Sequence, residues 1–397
     1  MYRTVKMPFR ASSNTIHKLF EIRRMCGLIW NDCVQLARYY YRLGGKWITQ
    51  TELQKELKGL YPLHSQTIQA VAHKFLAARE GTKEARQKRY KNIRYPWKHK
   101  FVFNPKWVDQ SFELDGRKLT LSMGNWKGKR QPRLTLKLPK VPIGQIKEIE
   151  FIFDRKWYVC LSYDDEIQQE EEKQGVTASI DPGEIHSIAS VNEKGDSLVI
   201  TGRYIRSIHR LRNKKLKELQ ILMSRCKKGS GQWRKYNRAK KFVLSKSNAQ
   251  LEDAFHKTTK QFVEWCVNHE VSHVVMGNVE GVQRNTKKKR RKNVNQKLSN
   301  WSFGKLHSLL KYKLKAKGMT IEKVDESFTS QTCPVCGNRR KSNNRNYRCK
   351  CGYKEHRDIH GARNILTKTI HGKMIYFPIH HPTYLRPVTL GYLTKRT

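Results

Sequence analysis

Acidic residues are scarce in this sequence. Its 397 residues include 33 Asp and Glu against 81 Lys and Arg, which leaves a formal net charge of +48. A chain with about one uncompensated positive charge for every eight residues is expected to bind a polyanion. Intrinsic disorder also fits a high net charge but requires few aromatic residues, and the 9 Trp, 17 Tyr and 14 Phe predict that most of the chain folds.

Long apolar segments and evenly paired cysteines are also lacking. No stretch approaches the roughly eighteen apolar residues of a membrane span, and the first residues lack the apolar core and cleavage site of a secretion signal. We therefore expect a soluble, unsecreted protein without a membrane partner. The nine cysteines are an odd number, and four of them crowd between residues 333 and 351. This pattern excludes a disulfide framework and favours a metal site in a reducing compartment.

The hydrophobic period changes along the first half of the chain. Residues 2–9 predict a strand, and apolar side chains then recur at every third or fourth position, which predicts a helical block over the first eighty residues. From residue 101 the period becomes two, with a hairpin signal at Asp115-Gly116. This pattern predicts an antiparallel β-module into which the helical block is inserted.

An acidic segment, residues 164–175, is the expected domain boundary. Beyond it, predicted strands alternate with helices, two of them long and basic, at roughly 203–226 and 232–269. The alternation predicts an α/β domain with a mixed sheet.

Four clustered cysteines predict a metal site. Two residues separate Cys333 from Cys336, one separates Cys349 from Cys351, and a glycine follows each pair. Four thiolates provide tetrahedral ligation for Zn²⁺ and leave no position for water, so we expect one structural zinc ion. The second pair is one residue shorter than the usual spacing.

Two aspartates stand at the ends of predicted elements. Asp181 ends an apolar strand before Pro182-Gly183, and Asp358 opens a helix of small residues directly after the cysteine cluster. Taken alone, each pattern is also typical of a turn or a helix cap.

In order along the chain, these motifs resemble the C-terminal half of the TnpB family of transposon-encoded RNA-guided nucleases, relatives of the compact type V CRISPR nucleases. The matching segments are Ser179 to Gly183, Phe328 to Gly337 and Arg357 to Leu366. The resemblance covers residues 175–370, whereas the first 165 residues match only in layout.

The resemblance implies an α+β multidomain protein. An RNase H-like (RuvC) α/β domain carries an inserted zinc ribbon, and an N-terminal β-barrel-like module carries an inserted helical domain. The expected domains are a wedge-like β-module at 1–10 and 90–165, a helical recognition domain at 11–89, a RuvC-like nuclease domain at 166–332 and 353–370, the zinc ribbon at 333–352, and a disordered tail at 371–397.

The resemblance also implies an RNA-guided DNA endonuclease in the prokaryotic cytoplasm, close to the nucleoid. Its expected partners are a guide RNA and double-stranded target DNA, its expected cofactors are two Mg²⁺ ions and one Zn²⁺, and its expected state is a monomer. A compact type V CRISPR effector would use the same chemistry. A nuclease-dead RNA-guided repressor is the alternative of another class, and a transposase that joins DNA ends is disfavoured because no Tyr or Ser nucleophile context is found.

The third carboxylate of the nuclease site separates enzyme from repressor. In most family members a Glu ends the strand that here ends at Gly277. Two substitutes exist, Glu280 just past that strand and Glu326 at the end of the neighbouring one. We expect Asp181, Glu326 and Asp358 to hold the two Mg²⁺ ions, with Glu280 as the alternative third carboxylate.

Basic residues predicted to contact nucleic-acid phosphates lie in two segments. They are Arg206, Arg210 and Arg212 in the first long basic helix, and Lys288, Arg290 and Arg291 in the loop run 286–292. For the loop run alone, a solvated charge cluster is the alternative interpretation.

Overall fold

The computed structural model describes residues 2–88, 92–166, 170–171, 174–280, 292–341 and 344–387. The chain divides into two compact units, Met1–Gln168 and Gln169–Thr397, so the division lies within the acidic segment. Within the described stretches, no helix has both the length and the apolar character needed to cross a bilayer.

The first unit combines three helices with antiparallel strands. In chain order its elements are β1 (Tyr2–Pro8), α1 (Ser13–Gly44), α2 (Gln50–Leu57), α3 (Ser65–Gln87), β2 (Lys106–Val108), β3 (Phe112–Asp115), β4 (Lys118–Leu121), β5 (Asn125–Trp126), β6 (Lys129–Arg130), β7 (Leu134–Lys137), β8 (Gln145–Asp154) and β9 (Lys156–Asp164). The sheet orders are β1-β9-β8-β2, β3-β4-β7 and β5-β6. Because β1 pairs with β9, the helices are inserted into a β-rich unit. The three sheets share no strand, so barrel-like closure stays a prediction.

One apolar core holds the helices and the sheets of this unit together. The side chain of Ser12 accepts a hydrogen bond from the backbone N–H of Thr15 and so caps α1. The helix then buries an apolar stripe that includes Leu19 and Ile22. Trp107 of β2 and Phe151 of β8 lie in the same core, with their rings edge to face and their centroids 5.6 Å apart.

The second unit is a mixed sheet with helices. In chain order its elements are β10 (Val176–Asp181), β11 (His186–Asn192), β12 (Ser197–Thr201), α4 (Arg203–Ser224), α5 (Gly231–Asn268), β13 (Val271–Gly277), α6 (Lys292–Asn300), α7 (Phe303–Lys315), β14 (Thr320–Val324), β15 (Asn346–Arg348), β16 (Lys354–His356), α8 (Arg357–His371) and β17 (Thr383–Leu385). The main sheet has the order β14-β13-β10-β11-β12-β17. β14, β13 and β10 are parallel to one another.

Helices cover both faces of this sheet. Since side chains alternate along its strands, neighbouring residues of a strand pack on opposite faces. On β13, Val274 packs into the core formed with α5 and α7, whereas Val275 packs into the core formed with α8. Since parallel strands end at the same edge, the carboxyl ends of β10, β13 and β14 lie together.

The disordered tail expected from residue 371 is wrong for residues 372–387. There Thr383–Leu385 forms β17, which pairs in parallel with β12, and Ser197 donates a hydrogen bond to the carbonyl of His380 at 2.8 Å. This segment is held by strand pairing and not by a periodic apolar face. Composition alone therefore did not predict its structure. Lys288, Arg290 and Arg291 lie outside the described residues.

Candidate active site and metal centre

Asp181 lies at the carboxyl edge of the sheet, where β10 ends. Its Oδ2 lies so close to Gly361 of α8 that a Cβ at position 361 would collide with it. Burial raises the pKa of Asp181 well above its ordinary value, and the negative charges of Asp358 and Glu326 raise it further. The carboxylates of Asp358 and Glu326 therefore both lie close enough to Asp181 to repel its negative charge.

Glu326 fills the space above Gly277. β13 and β14 are in parallel register with Gly277 opposite Val324, so Glu326 follows two residues after that pair. A Cβ at position 277 would lie 2.5 Å from Oε2 and 3.3 Å from Cβ of Glu326. The carboxylate from the neighbouring strand thus occupies the volume that a side chain at position 277 would take. Burial raises the pKa of Glu326, and the charge of Asp325 adds to the effect.

Asp358 lies in the first turn of α8, behind the N-cap residue His356. Its Oδ2 is 2.6 Å from Nδ1 of His186 and 3.6 Å from Nη1 of Arg345. Burial raises the pKa of Asp358, but the hydrogen bond with His186 and the positive charges of His186, His356 and Arg345 together outweigh burial, so the net pKa is lowered. Asp358 therefore stays ionised while Asp181 retains its proton to higher pH.

Glu280, the alternative third carboxylate, lies elsewhere. Its Oε1 pairs with Nζ of Lys323, and its side chain is 53% exposed. Of the two candidates, Glu326 is the one that shares the sheet edge with Asp181.

The four clustered cysteines converge on one point. The Sγ atoms of Cys333 and Cys351 are 3.6 Å apart, and those of Cys336 and Cys349 are 3.4 Å apart. All four sulfur atoms lie within 4.8 Å of one another. Tetrahedral zinc with Zn–S bonds of about 2.3 Å places its sulfurs about 3.8 Å apart, so the group fits a zinc ion. The short spacing between Cys349 and Cys351 does not keep the sulfurs apart.

A basic cavity of about 1170 Å³ lies between α4, α5 and α6. The cations lining it from α4 recur at every third or fourth position, which puts them on one face of the helix. They are Arg203, Arg206, Arg210, Lys214 and Lys217. Arg206 also pairs with Glu184 at 3.2 Å. Arg212 is not among the lining residues and donates instead to Asn248 of α5 at 2.9 Å.

Family comparisons place these features in a known group. The OrfB_IS605 family, described as "Probable transposase", matches residues 158–283, and the "Cas12f1-like, TNB domain" family matches residues 303–365. The "TnpB-like protein MJ0751" of Methanocaldococcus jannaschii is 27% identical over 197 residues, which is 48% of this chain and 68% of that protein. Over these matched residues the chain resembles the TnpB family.

Other relatives of this chain include "CRISPR-associated endodeoxyribonuclease Cas12f2" of a Micrarchaeota archaeon. The two are 28% identical over 54% of this chain and 40% of that protein. The solved "Cryo-EM structure of the Cas12f1-sgRNA-target DNA complex" superposes with a TM-score of 0.63 at 15% identity, covering 88% of this chain and 82% of that chain. At this identity the likeness shows the fold alone, a mixed α/β architecture.

The sequence patterns did not predict a role for His186 or His356. Both contribute nitrogen atoms that lie within 4.8 Å of one another and of an Asp358 oxygen. His356 stands two residues before Asp358, a spacing that a search for His-x-Asp pairs would have detected. His186 is positioned by the turn after Asp181, because Gly183 lets the backbone approach the carbonyl of His186.

A buried polar network joins the zinc ribbon, and the residues directly before it, to α8. Nδ2 of Asn364 donates to the carbonyls of Thr329 and Thr332 at 2.7 and 2.8 Å. His360 stacks on Tyr347 with centroids 4.0 Å apart, and burial lowers its pKa to about 3, so it is neutral. The helix that carries Asp358 is therefore held partly by the ribbon.

The raised pKa of Asp181 has a measurable consequence for stability. As pH rises from the ordinary value of 3.8 through the raised folded value, the folded protein has to ionise a buried carboxyl and loses stability relative to the unfolded chain. In magnesium-free buffer at neutral pH, Asp181→Asn should raise Tm by a few degrees, since about 1 kcal/mol shifts Tm by roughly 2–4 °C for a unit of the length of Gln169–Thr397. Differential scanning fluorimetry from pH 4 to 8 measures the effect.

The matched control for this experiment is Asp358→Asn. The pKa of Asp358 is lowered in the folded protein, so its charge stabilises the fold above the ordinary value, and losing it should lower Tm at neutral pH. Equal Tm shifts of the same sign for both variants would contradict the opposite environments assigned to the two aspartates.

Proposed function

We propose that this protein is an RNA-guided DNA endonuclease whose second unit is an RNase H-like, RuvC-type nuclease domain. The position of Glu326 carries the proposal. Its carboxylate lies over Gly277, so it would supply the third acid beside Asp181 and Asp358 although the strand position that usually carries Glu is glycine in this chain. A chain that has kept three carboxylates at one sheet edge is better suited to cleavage than to guided binding alone.

Asp181, Glu326 and Asp358 would hold divalent cations. Three carboxylates supply the oxygen ligands that Mg²⁺ prefers. Burial raises the pKa of Asp181 most, and the negative charges of Asp358 and Glu326, which a cation would neutralise, raise it further. A bound pair of Mg²⁺ ions supplies activation of the attacking water and stabilisation of the leaving 3′ oxygen.

Two arginines are placed to hold the scissile strand. Arg345 and Arg357 line a cavity of about 320 Å³ beside Asp358, together with Gly183 and His186. Guanidinium groups bind phosphate oxygens in a bidentate manner. The pair would hold a phosphate against the carboxylates before the chemical step.

The cationic face of α4 would bind the guide–target duplex through its backbone. Arg203 and Lys217 are separated by fourteen residues, which at 1.5 Å per residue is about 21 Å along the helix. A row of cations of this length, open to a cavity, suits several phosphates of an A-form heteroduplex, whose sequence is read by base pairing.

The first unit would bind the guide scaffold and a short motif flanking the target. A cavity of about 370 Å³ in this unit is lined by Arg38, Trp47, Arg94, Tyr95 and Trp97. Aromatic rings beside guanidinium groups are suited to stacking on unpaired bases.

A transposon-encoded nuclease and a CRISPR effector use the same chemistry, so genomic context is what distinguishes them.

Purified protein is expected to carry a discrete guide RNA. RNA extracted after a wash at moderate salt should give one dominant species on sequencing, and binding should weaken steeply with salt because each neutralised phosphate releases about 0.7–0.9 counterion. A heterogeneous mixture of cellular RNA, or none, would contradict the guided function.

A triple variant, Arg210→Ala, Lys214→Ala and Lys217→Ala, tests the surface. Because these residues share the α4 face, guided-target affinity and the salt slope should both fall. The matched control is Lys215→Ala on the same helix, whose ammonium pairs with Glu218 at 3.1 Å and which does not line the cavity.

A further inference from the structure

We propose that His186, His356 and Asp358 form a mixed nitrogen–oxygen subsite that binds a first-row transition-metal dication more tightly than Mg²⁺. The proposal rests on the proposed function, since Asp358 would also serve the nuclease site. It adds two ligands that the carboxylates do not supply. Mn²⁺ is the probe, because it accepts both nitrogen and oxygen ligands and is paramagnetic.

The three side chains come from the start of a strand and the start of a helix. His186 begins β11, and His356 and Asp358 flank the start of α8. One ligand atom from each lies within 4.8 Å of the others, and the two imidazole rings are 5.4 Å apart. The 2.6 Å between Nδ1 of His186 and Oδ2 of Asp358 is close to the spacing of adjacent ligands around one ion, about 3 Å.

One ring nitrogen of His356 makes no hydrogen bond with the described residues. This nitrogen, Nδ1, is buried. A buried polar atom without a partner costs about 1–3 kcal/mol, so it normally persists for a reason. A metal ion is one such reason, because a neutral imidazole nitrogen is a common ligand of transition metals.

The ligand types decide which cation is preferred. Mg²⁺ favours oxygen ligands in near-ideal octahedral geometry and gives up its waters reluctantly. Imidazole nitrogen favours transition metals over Mg²⁺. Two imidazoles beside one carboxylate therefore shift selectivity away from Mg²⁺ at this end of the site.

Arg345 opposes a cation here but can leave. Its Nη1 is 3.6 Å from Oδ2 of Asp358, longer than the 2.7–2.9 Å of a strong charge-assisted hydrogen bond, and its side chain is 48% exposed. A cation at the subsite would take over the interaction with Asp358. Arg345 would then be free to turn toward a phosphate in the adjoining cavity.

Pulsed electron paramagnetic resonance on the full-length protein with one equivalent of Mn²⁺ tests the subsite directly. Wild-type protein should show ¹⁴N modulation from directly bound imidazole, and the His186→Ala/His356→Ala variant should lose it. By calorimetry the double variant should bind Mn²⁺ at least about tenfold more weakly and Mg²⁺ nearly as before. His371→Ala, at the other end of α8, is the control and should match wild type in both measurements.

The wild-type spectrum keeps the proposal open to refutation even if the double variant fails to fold. Absence of ¹⁴N modulation in wild-type protein, or unchanged Mn²⁺ affinity in a folded double variant, would overturn the subsite. Guided cleavage measured in parallel separates the two proposals. A nitrogen-bound Mn²⁺ in a protein that never cuts would uphold the subsite and reject the endonuclease, whereas guided cleavage without nitrogen coupling would do the reverse.

Discussion

Glu326→Ala protein loaded with its guide is expected to bind target DNA nearly as tightly as wild type and to cut it about 10²-fold more slowly or not at all. Loss of a group that stabilises the transition state in a dry site typically costs about 10²–10³ in rate. Binding should survive because the heteroduplex is held through its backbone, away from the carboxylates. Single-turnover cleavage and filter binding of the same preparation measure the two effects.

Glu280→Ala is the matched control for this variant. Its carboxylate is half exposed and pairs with Lys323, so its loss should change the cleavage rate little. A fully active Glu326→Ala protein beside an inactive Glu280→Ala protein would reverse the assignment. Wild-type protein that binds its guided target in Mg²⁺ and never cuts it would favour the repressor.

A swap variant tests whether the carboxylate has moved between strands. Glu326→Gly combined with Gly277→Glu frees the volume above β13 and returns a carboxylate to it. This double variant should recover part of the activity that Glu326→Gly alone loses. Gly277→Glu in the wild-type background should instead be destabilised, because its side chain would meet Glu326.

Cys333→Ser/Cys336→Ser protein is expected to lose its zinc and the fold of its ribbon. Among the described residues, Cys333 and Tyr347 of the ribbon and the adjoining Tyr353 form one small buried apolar cluster, and a core this small does not hold a fold without metal. Structural zinc supplies about 10–16 kcal/mol in small zinc domains. Elemental analysis should therefore fall from about one zinc per chain to none, and limited proteolysis should cut within residues 333–352.

The same variant should lose guided cleavage although none of its cysteines touches the carboxylates. His360 of α8 stacks on Tyr347 of the ribbon, and Asn364 donates to the carbonyl of Thr329 just before it, so unfolding of the ribbon should free the start of the helix that carries Asp358. Cys226→Ser, at the end of α4, is the control and should keep zinc and activity. Unchanged zinc content in the double variant would reject the four-cysteine site.

Local patterns in the sequence predicted most elements of the second unit. Helices over roughly 203–226 and 232–269 were expected, and α4 and α5 span Arg203–Ser224 and Gly231–Asn268. Both predictions depended on local periodicity, which the tertiary structure preserves. β17 was missed because three residues that add to a sheet edge carry no period of their own.

The sequence by itself determined the chemistry available to this protein, namely the excess of cations, the four cysteines at ligand spacing and two aspartates at element ends. It left the third carboxylate open between Glu280 and Glu326, and it missed both histidines. The acid that lies over Gly277 and the positions of the histidines follow only from the tertiary structure, because they depend on strand order and register. Once β13 and β14 pair with Gly277 opposite Val324, Glu326 reaches the volume above the glycine, and the turn into β11 sets His186 against Asp358. Spacing along a chain specifies local geometry, whereas contacts between distant segments exist only after the sheet has formed.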